Sequence, residues 1–241
     1  ASPQSAYVSH LGDMVCISGG DGSWSWAPGG YSPLRILDHE EVVFLGAGRK
    51  FHTAYATNGN LLIYRLTTFD DVPYTYWAHD YIEALYESGI TGGCSTQPMK
   101  YCPDNSVTRA QMAVFLERGI HGSSYSPPAP SGVFDDVPVD NWAAKWVEAL
   151  YSDGVTGGCG GNNYCPNEPV TRAQMTVFLL RSKHGSGYNP PATSGVFNDV
   201  PVDHWAAKWV EQLAAEGITS GCGGGNYCPF DSVTRAQMAV F

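Results

Sequence analysis

From Phe69 onward the apolar positions of this chain fall into one pattern written three times. Each copy opens on a short Asp/Asn-rich turn: Phe69-Asp70-Asp71-Val72-Pro73, Phe134-Asp135-Asp136-Val137-Pro138 and Phe197-Asn198-Asp199-Val200-Pro201. A helical stripe follows. In the middle copy Trp142, Trp146, Val147, Leu150 and Tyr151 recur at i, i+4, i+5, i+8 and i+9, which lines one helix face. The first copy carries Trp77, Tyr81, Ile82, Leu85 and Tyr86 in this register, and the third Trp205, Trp209, Val210 and Leu213. Gly89, Gly154 and Gly217 come just past these runs, where a helix ends.

A glycine-rich loop then leads to a second helix, which begins on the same six letters in every copy. Val-Thr-Arg-Ala-Gln-Met starts at Val107, Val170 and Val233. Thr108, Thr171 and Thr234 are predicted N-caps. Gln111, Gln174 and Gln237, three residues later, complete a capping box. The following run, Met112-Ala113-Val114-Phe115-Leu116, is apolar almost all round, which predicts a buried helix. Three such helices are expected to pack around a shared pseudo-threefold axis, since one copy is too small to bury its own apolar face. The connectors Gly119–Val133 and His184–Val196 are rich in Ser, Gly and Pro, and are expected to be extended and to run over the surface.

Residues 1–67 carry no repeat. Short alternating runs at Met14–Ile17, Glu41–Leu45, Phe51–Ala56 and Leu61–Leu66 predict strands, with Asn58-Gly59-Asn60 as a tight hairpin. The expected organisation is a β-rich region over 1–67, a first repeat over 68–121, a linker and second repeat over 122–183, and a linker and third repeat over 184–241.

Composition narrows the functions. The net charge is −10, which opposes non-specific nucleic-acid binding. No run of about 18 apolar residues is present, so no membrane span is predicted. Charged residues make up only 15%, against about 25% in average soluble proteins, and this leans toward an exported protein. The opening Ala1-Ser2-Pro3 lacks a leader pattern and reads as processed or cut from a longer chain.

Six of the seven cysteines form the local pairs Cys94/Cys102, Cys159/Cys165 and Cys222/Cys228, each followed at once by proline. Zinc is the competing reading, but no pair has CxxC spacing and no second Cys or His pair lies at ligand distance. Three disulfides are therefore expected, in an oxidising setting outside the cytoplasm. Cys16 is left over, with a partner not legible in the sequence. No metal site and no cofactor are read from the chain. No G-x-S-x-G, H-E-x-x-H or phosphate loop is found, and adjacent carboxylates such as Asp70-Asp71 point apart, so no enzyme is predicted.

The recurring arginines Arg109, Arg172 and Arg235 stand at the first helical position, where unpaired amides and the helix dipole favour an anion and a guanidinium adds a two-pronged carboxylate partner. The competing reading is a structural tie to Asp71, Asp136 or Asp199. Trp77, Trp142 and Trp205 are either sugar-stacking platforms or core. Gly93, Gly158 and Gly221 either let a ligand approach the backbone or serve the loop. In copy three Ser220 and Asn198 replace the Gly and Asp of the other copies, so its groove is expected to differ.

The Phe-x-Asp-Val-Pro opening, the Trp-Ala at the first helix, the Gly-Ile/Val-Thr-x-Gly turn and the Thr-Arg-Ala start resemble the S-layer homology (SLH) family over about residues 68–241. The usual family word is Thr-Arg-Ala-Glu; here Gln stands in place of Glu three times, which drops a negative charge beside each arginine. The resemblance implies a mainly α fold, with three repeats in a pseudo-threefold helical prism and grooves between neighbours. It also implies a non-catalytic anchor at the cell surface. The partner would be an acidic cell-wall-linked polysaccharide, often one bearing pyruvate ketals, met by the Arg, Asp, Trp and Gly residues named above. Two other functions fit the same letters. One is a surface-layer or filament subunit that self-assembles through its repeats. The other is the anchoring tail of an exported enzyme whose catalytic domain is absent here.

Overall fold

A computed structural model describes residues 67–241 throughout; within residues 1–66 it describes only strand segments. The chain divides into two compact units, Ala1–Thr68 and Phe69–Phe241. In the first unit, β1 (Ser5–His10), β2 (Asp13–Ser18) and β3 (Trp24–Trp26) pair antiparallel in sequence order. So do β4 (Glu41–Val43), β5 (His52–Thr57) and β6 (Asn60–Arg65), with Thr57 opposite Asn60. The Cys16 thiol and the Asn58-Gly59 turn lie outside the described residues.

The second unit contains six α-helices and few strands among the described residues. Its elements are α1 (His79–Glu87), the short strands β7 (Ser95–Thr96) and β8 (Met99–Lys100), α2 (Arg109–His121), α3 (Ala144–Ser152), α4 (Arg172–His184), α5 (Ala207–Ala215) and α6 (Arg235–Val240). The capping boxes form as expected. The Thr108, Thr171 and Thr234 hydroxyls accept the Gln111, Gln174 and Gln237 amides, and each glutamine carbonyl accepts its cap amide in return. Gly89, Gly154 and Gly217 follow the shorter helices at φ of +75°, +71° and +73°, a backbone region costly for other residues.

Two expectations are corrected. Trp77, Trp142 and Trp205 do not open the apolar stripe, because α1, α3 and α5 begin two residues after them; Trp146 and Trp209, by contrast, are core. Gly119 also belongs to α2 rather than to the connector. The helix runs through it to His121 and ends at Gly122, φ +91°. A single glycine near a helix end costs only about 1 kcal/mol, which the buried face of α2 outweighs.

The three copies meet at a closed ring of backbone hydrogen bonds. Val107 N–H donates to the Val233 carbonyl, Val233 to Val170 and Val170 to Val107, each at 2.9 Å. All three valines are fully buried. Around this ring the packing unit differs from the sequence unit. Helix α2 of copy one packs on α3 of copy two, α4 on α5, and α1 on α6 of copy three, which closes the circle. The connectors stay mostly on the surface. Glu148 ties the first of them down: its carboxylate accepts the amides of Ser131, Gly132 and Val133 and the Ser131 hydroxyl. Glu211 does the same for Ser194, Gly195 and Val196.

Candidate functional site

The disulfides Cys94–Cys102, Cys159–Cys165 and Cys222–Cys228 close the glycine-rich loops, as the sequence predicts. Their second cysteines sit at φ of +56°, +59° and +59°. The aspartates of the repeat opening hold this conformation. Asp71 accepts the Tyr101 and Cys102 amides at 2.8 Å each. Asp136 takes those of Tyr164 and Cys165, and Asp199 those of Tyr227 and Cys228, all at 2.7 Å. With both oxygens engaged by amides, these aspartates form no ion pair with the arginines among the described residues, so the competing reading of a direct Asp–Arg tie does not hold.

Held in this way, each loop is pressed onto a helix start in a different copy. The Arg109 amide donates to the Glu168 carbonyl and the Ala110 amide to that of Pro166. Arg172 and Ala173 use Asp231 and Pro229, and Arg235 and Ala236 use Asn105 and Pro103. Together with the threonine cap, these bonds occupy the first-turn amides. The helix start therefore offers no free N–H groups to an anion, contrary to expectation, and only the side chains remain for that role.

The arginines do not project outward. Arg109, Arg172 and Arg235 are only 4%, 5% and 4% exposed. Each is clamped by a tyrosine that the sequence pattern did not single out. Arg235 Nε donates to the Tyr101 carbonyl at 2.6 Å, while the Tyr101 hydroxyl donates to the Arg235 carbonyl at 2.8 Å. Arg109 and Tyr164 form the same pair, as do Arg172 and Tyr227. The guanidinium carbons lie 4.6–4.7 Å from the centres of these tyrosine rings, within cation–π range. Burial pushes the Tyr101 phenol up to about 12 and the Tyr164 and Tyr227 phenols further up. Burial also lowers Arg109 and Arg235 from the ordinary guanidinium value. A signal was available in the sequence, since Tyr precedes the second cysteine in every copy.

The clamp leaves one group over. The terminal Nη2 atoms of Arg109, Arg172 and Arg235 are buried and have no hydrogen-bond partner. Arg235 lines a cleft of about 280 Å³, near the lower end of the roughly 300–1,000 Å³ typical of small-ligand sites. Gly93, Gln111, Phe115, Arg118 and Trp142 also line it, so the wall draws on all three copies. The predicted Arg, Trp and Gly thus converge, but each comes from a different repeat. Arg235 lies over Phe115 at 5.5 Å; Arg109 lies over Phe178 at 5.4 Å and Arg172 over Phe241 at 5.6 Å in the same manner.

Trp77, Trp142 and Trp205 are 60%, 63% and 57% exposed, which excludes the core reading for them. Gly93, Gly158 and Gly221 have φ of +84°, +87° and +93°. A Cβ on Gly93 would meet the Lys100 carbonyl at 2.4 Å and the Phe69 ring at 2.7 Å. These glycines are therefore required by the loop itself, whatever else Gly93 does in the cleft. Arg118 is a lining residue that sequence reasoning missed. It donates to the Ile90 carbonyl at 3.0 Å and lies over Trp146, and Arg181 repeats the arrangement with Val155 and Trp209.

The S-layer homology domain model matches residues 68–113, 134–176 and 196–239. The chain belongs to the S-layer homology family, and this membership associates it with the cell surface. It is 29% identical over 174 residues to an S-layer protein, EA1, of Bacillus anthracis, covering 72% of this chain and 19% of that protein. It is 36% identical over 120 residues to an amylopullulanase of Thermoanaerobacterium thermosulfurigenes, covering 50% of this chain and 6% of that enzyme. An endoglucanase of a Bacillus strain matches at 33% over 107 residues, 44% of this chain and 11% of the enzyme. The chain thus spans a fifth or less of the length of these relatives. Among the described residues no helix is long and apolar enough to cross a membrane.

Proposed function

We propose that this chain is a non-catalytic anchor that holds an acidic cell-wall-linked polysaccharide in clefts between its repeats. The single observation that carries this reading is Arg235, which lines a cleft together with Trp142 and whose buried Nη2 atom has no hydrogen-bond partner. An unmatched guanidinium N–H is costly unless something accepts from it, and a sugar carboxylate such as a pyruvate ketal supplies the acceptor. The exposed indole gives a sugar ring its flat platform. Because the net charge is −10, attraction must come from this short-range geometry rather than from a long-range field. Three equivalent Arg–Tyr clamps support a pseudo-threefold prism with up to three such clefts. Residues 1–67 are read as a separate β-rich region, and the setting as the extracellular face of the envelope.

The relatives favour two settings for such an anchor, since they include S-layer proteins and long polysaccharide-degrading enzymes by name. In the first this chain would be part of a self-assembling surface layer, and in the second the tail of an exported enzyme. The test is calorimetric titration of the chain with purified wall polysaccharide, before and after removal of its acidic substituents. Binding that falls at least tenfold on removal is expected. Equal binding to both forms would refute the acidic-ligand reading. Assembly without any polysaccharide would favour the surface-layer setting.

A further inference from the structure

Away from the cleft, at the junction of copies one and two, a second set of side chains converges. Glu117 and His121 stand one turn apart near the end of α2, and Asp153 follows directly after α3. One ligand-capable atom from each lies within 4.8 Å of the others. The His121 Nε2 atom is 2.7 Å from Asp153 Oδ2 and 3.6 Å from Glu117 Oε2. Glu117 is fully buried, and neither of its carboxylate oxygens has a hydrogen-bond partner. No Lys or Arg forms an ion pair with Glu117 or Asp153 among the described residues.

The equivalent junction of copies two and three shows what the fold needs there without such a cluster. Leu180 takes the place of Glu117 and is fully buried. His184 takes the place of His121, and Glu216 that of Asp153. Lys183 and His184 both bond Glu216, at 2.7 and 2.8 Å, so that junction is internally satisfied. Copy one has Ile120 where Lys183 stands. It therefore exchanges a core leucine for a carboxylate and at the same time drops the lysine. Burying a carboxyl group that accepts no hydrogen bond is costlier than burying the leucine it replaces, so packing alone gives no reason for Glu117.

We propose that Glu117, His121 and Asp153 form a binding site for a divalent transition-metal ion of the zinc class. One imidazole nitrogen and two carboxylate oxygens suit such an ion, whereas calcium and magnesium favour oxygen donors alone. Bonds of about 2.0–2.2 Å to three tetrahedral positions put ligand atoms roughly 3.3 Å apart. The observed 2.7 and 3.6 Å bracket that value, and the Glu117 and Asp153 oxygens lie within 4.8 Å of each other, so side-chain shifts of about 1–2 Å bring the three atoms to ligand spacing. The His121 and Asp153 side chains are each 34% exposed, which gives the ion access and leaves a fourth position for water. The ion would pin the end of α2 to the end of α3 and so join copies one and two.

The test uses the full oxidised chain, with Zn2+ as probe in calorimetry and thermal unfolding. Wild type is expected to take up one equivalent and to unfold at a higher temperature with Zn2+. Glu117→Leu, which reproduces the arrangement at Leu180, is expected to fold and to lose at least tenfold in affinity together with the thermal gain. His121→Asn, at a partly exposed position, is expected to weaken binding similarly. The proposal is overturned if wild type takes up no Zn2+, or if Glu117→Leu binds with unchanged stoichiometry and affinity.

Discussion

Arg109 and Tyr164, 55 residues apart, hold each other by two reciprocal hydrogen bonds, side chain to backbone in both directions, at 2.7 and 2.8 Å. This pair joins a helix start in copy one to the cysteine loop of copy two, and its two equivalents join the remaining copies. Tyr164→Phe removes only the hydroxyl. A loss of about 1 kcal/mol is expected from one buried hydrogen bond, read as a lower urea midpoint. The triple change at Tyr101, Tyr164 and Tyr227 is expected to lose roughly three times as much. An unchanged midpoint in the triple variant would show that the clamp contributes nothing.

Tryptophans of the same repeat, four residues apart, are expected to respond oppositely. Trp146 is 8% exposed and Trp142 is 63% exposed. Trp146→Ala is expected to cost about 3–5 kcal/mol. Trp142→Ala is expected to stay within about 0.5 kcal/mol of wild type while weakening polysaccharide binding. Chemical denaturation and a wall-binding assay on both variants separate the roles. Equal effects on stability would contradict the assignment.

The loop disulfides act on the inter-repeat junction as well as on their own loops. Cys159 and Cys165 are six residues apart, a loop whose closure is worth roughly 2–3 kcal/mol by chain entropy. The turn directly after this loop, through Pro166 and Glu168, supplies the carbonyls that receive the Ala110 and Arg109 amides. The double change Cys159→Ser and Cys165→Ser is expected to lower stability by about that amount. It is also expected to speed hydrogen exchange at Arg109 and Ala110 more than at Met175. Uniform exchange across the helices would contradict the coupling between loop and neighbouring helix.

Acid is expected to loosen the junction of copies two and three. Burial pushes the Glu216 carboxyl up, but Lys183, Gln212 and His184 outweigh this and hold it at about 2, against an ordinary value of 4.5. A carboxyl lowered by folding contributes stability that is fully present above about pH 4.5 and is lost as the pH falls toward about 2. The stability difference between wild type and Glu216→Gln should therefore shrink across this window, followed by urea unfolding at successive pH values. A difference that stays constant from about pH 6 to about pH 2 would rule out the ionised pair as its source.

What the sequence shows clearly here is local. The Thr108–Gln111 capping box spans three residues, the Cys159–Cys165 pair six, and the Trp146–Leu150 stripe one helical turn, so each is written in consecutive letters. The arginine site was only half legible. The residue types were visible, but the burial of Arg109 depends on Tyr164, and its helix amides are met by carbonyls of the next copy. Pairing across copies leaves no local spacing to read. For the same reason Arg235, Trp142 and Gly93 stand far apart in the sequence yet line one cleft, and Glu117 meets Asp153 only because α2 packs on α3. Gly119 misled in a different way, since its letter marks a break while the helix around it is held by buried neighbours.

The most direct measurement follows the arginine side-chain nitrogen signals by NMR as the acidic wall polysaccharide is added. The Nη resonances of Arg109, Arg172 or Arg235 are expected to shift at saturation, with the Nε signals, already bonded to tyrosine carbonyls, moving less. If binding saturates and no arginine side-chain resonance moves, the buried guanidinium groups do not receive the acidic sugar, and anchoring must rest on other chemistry.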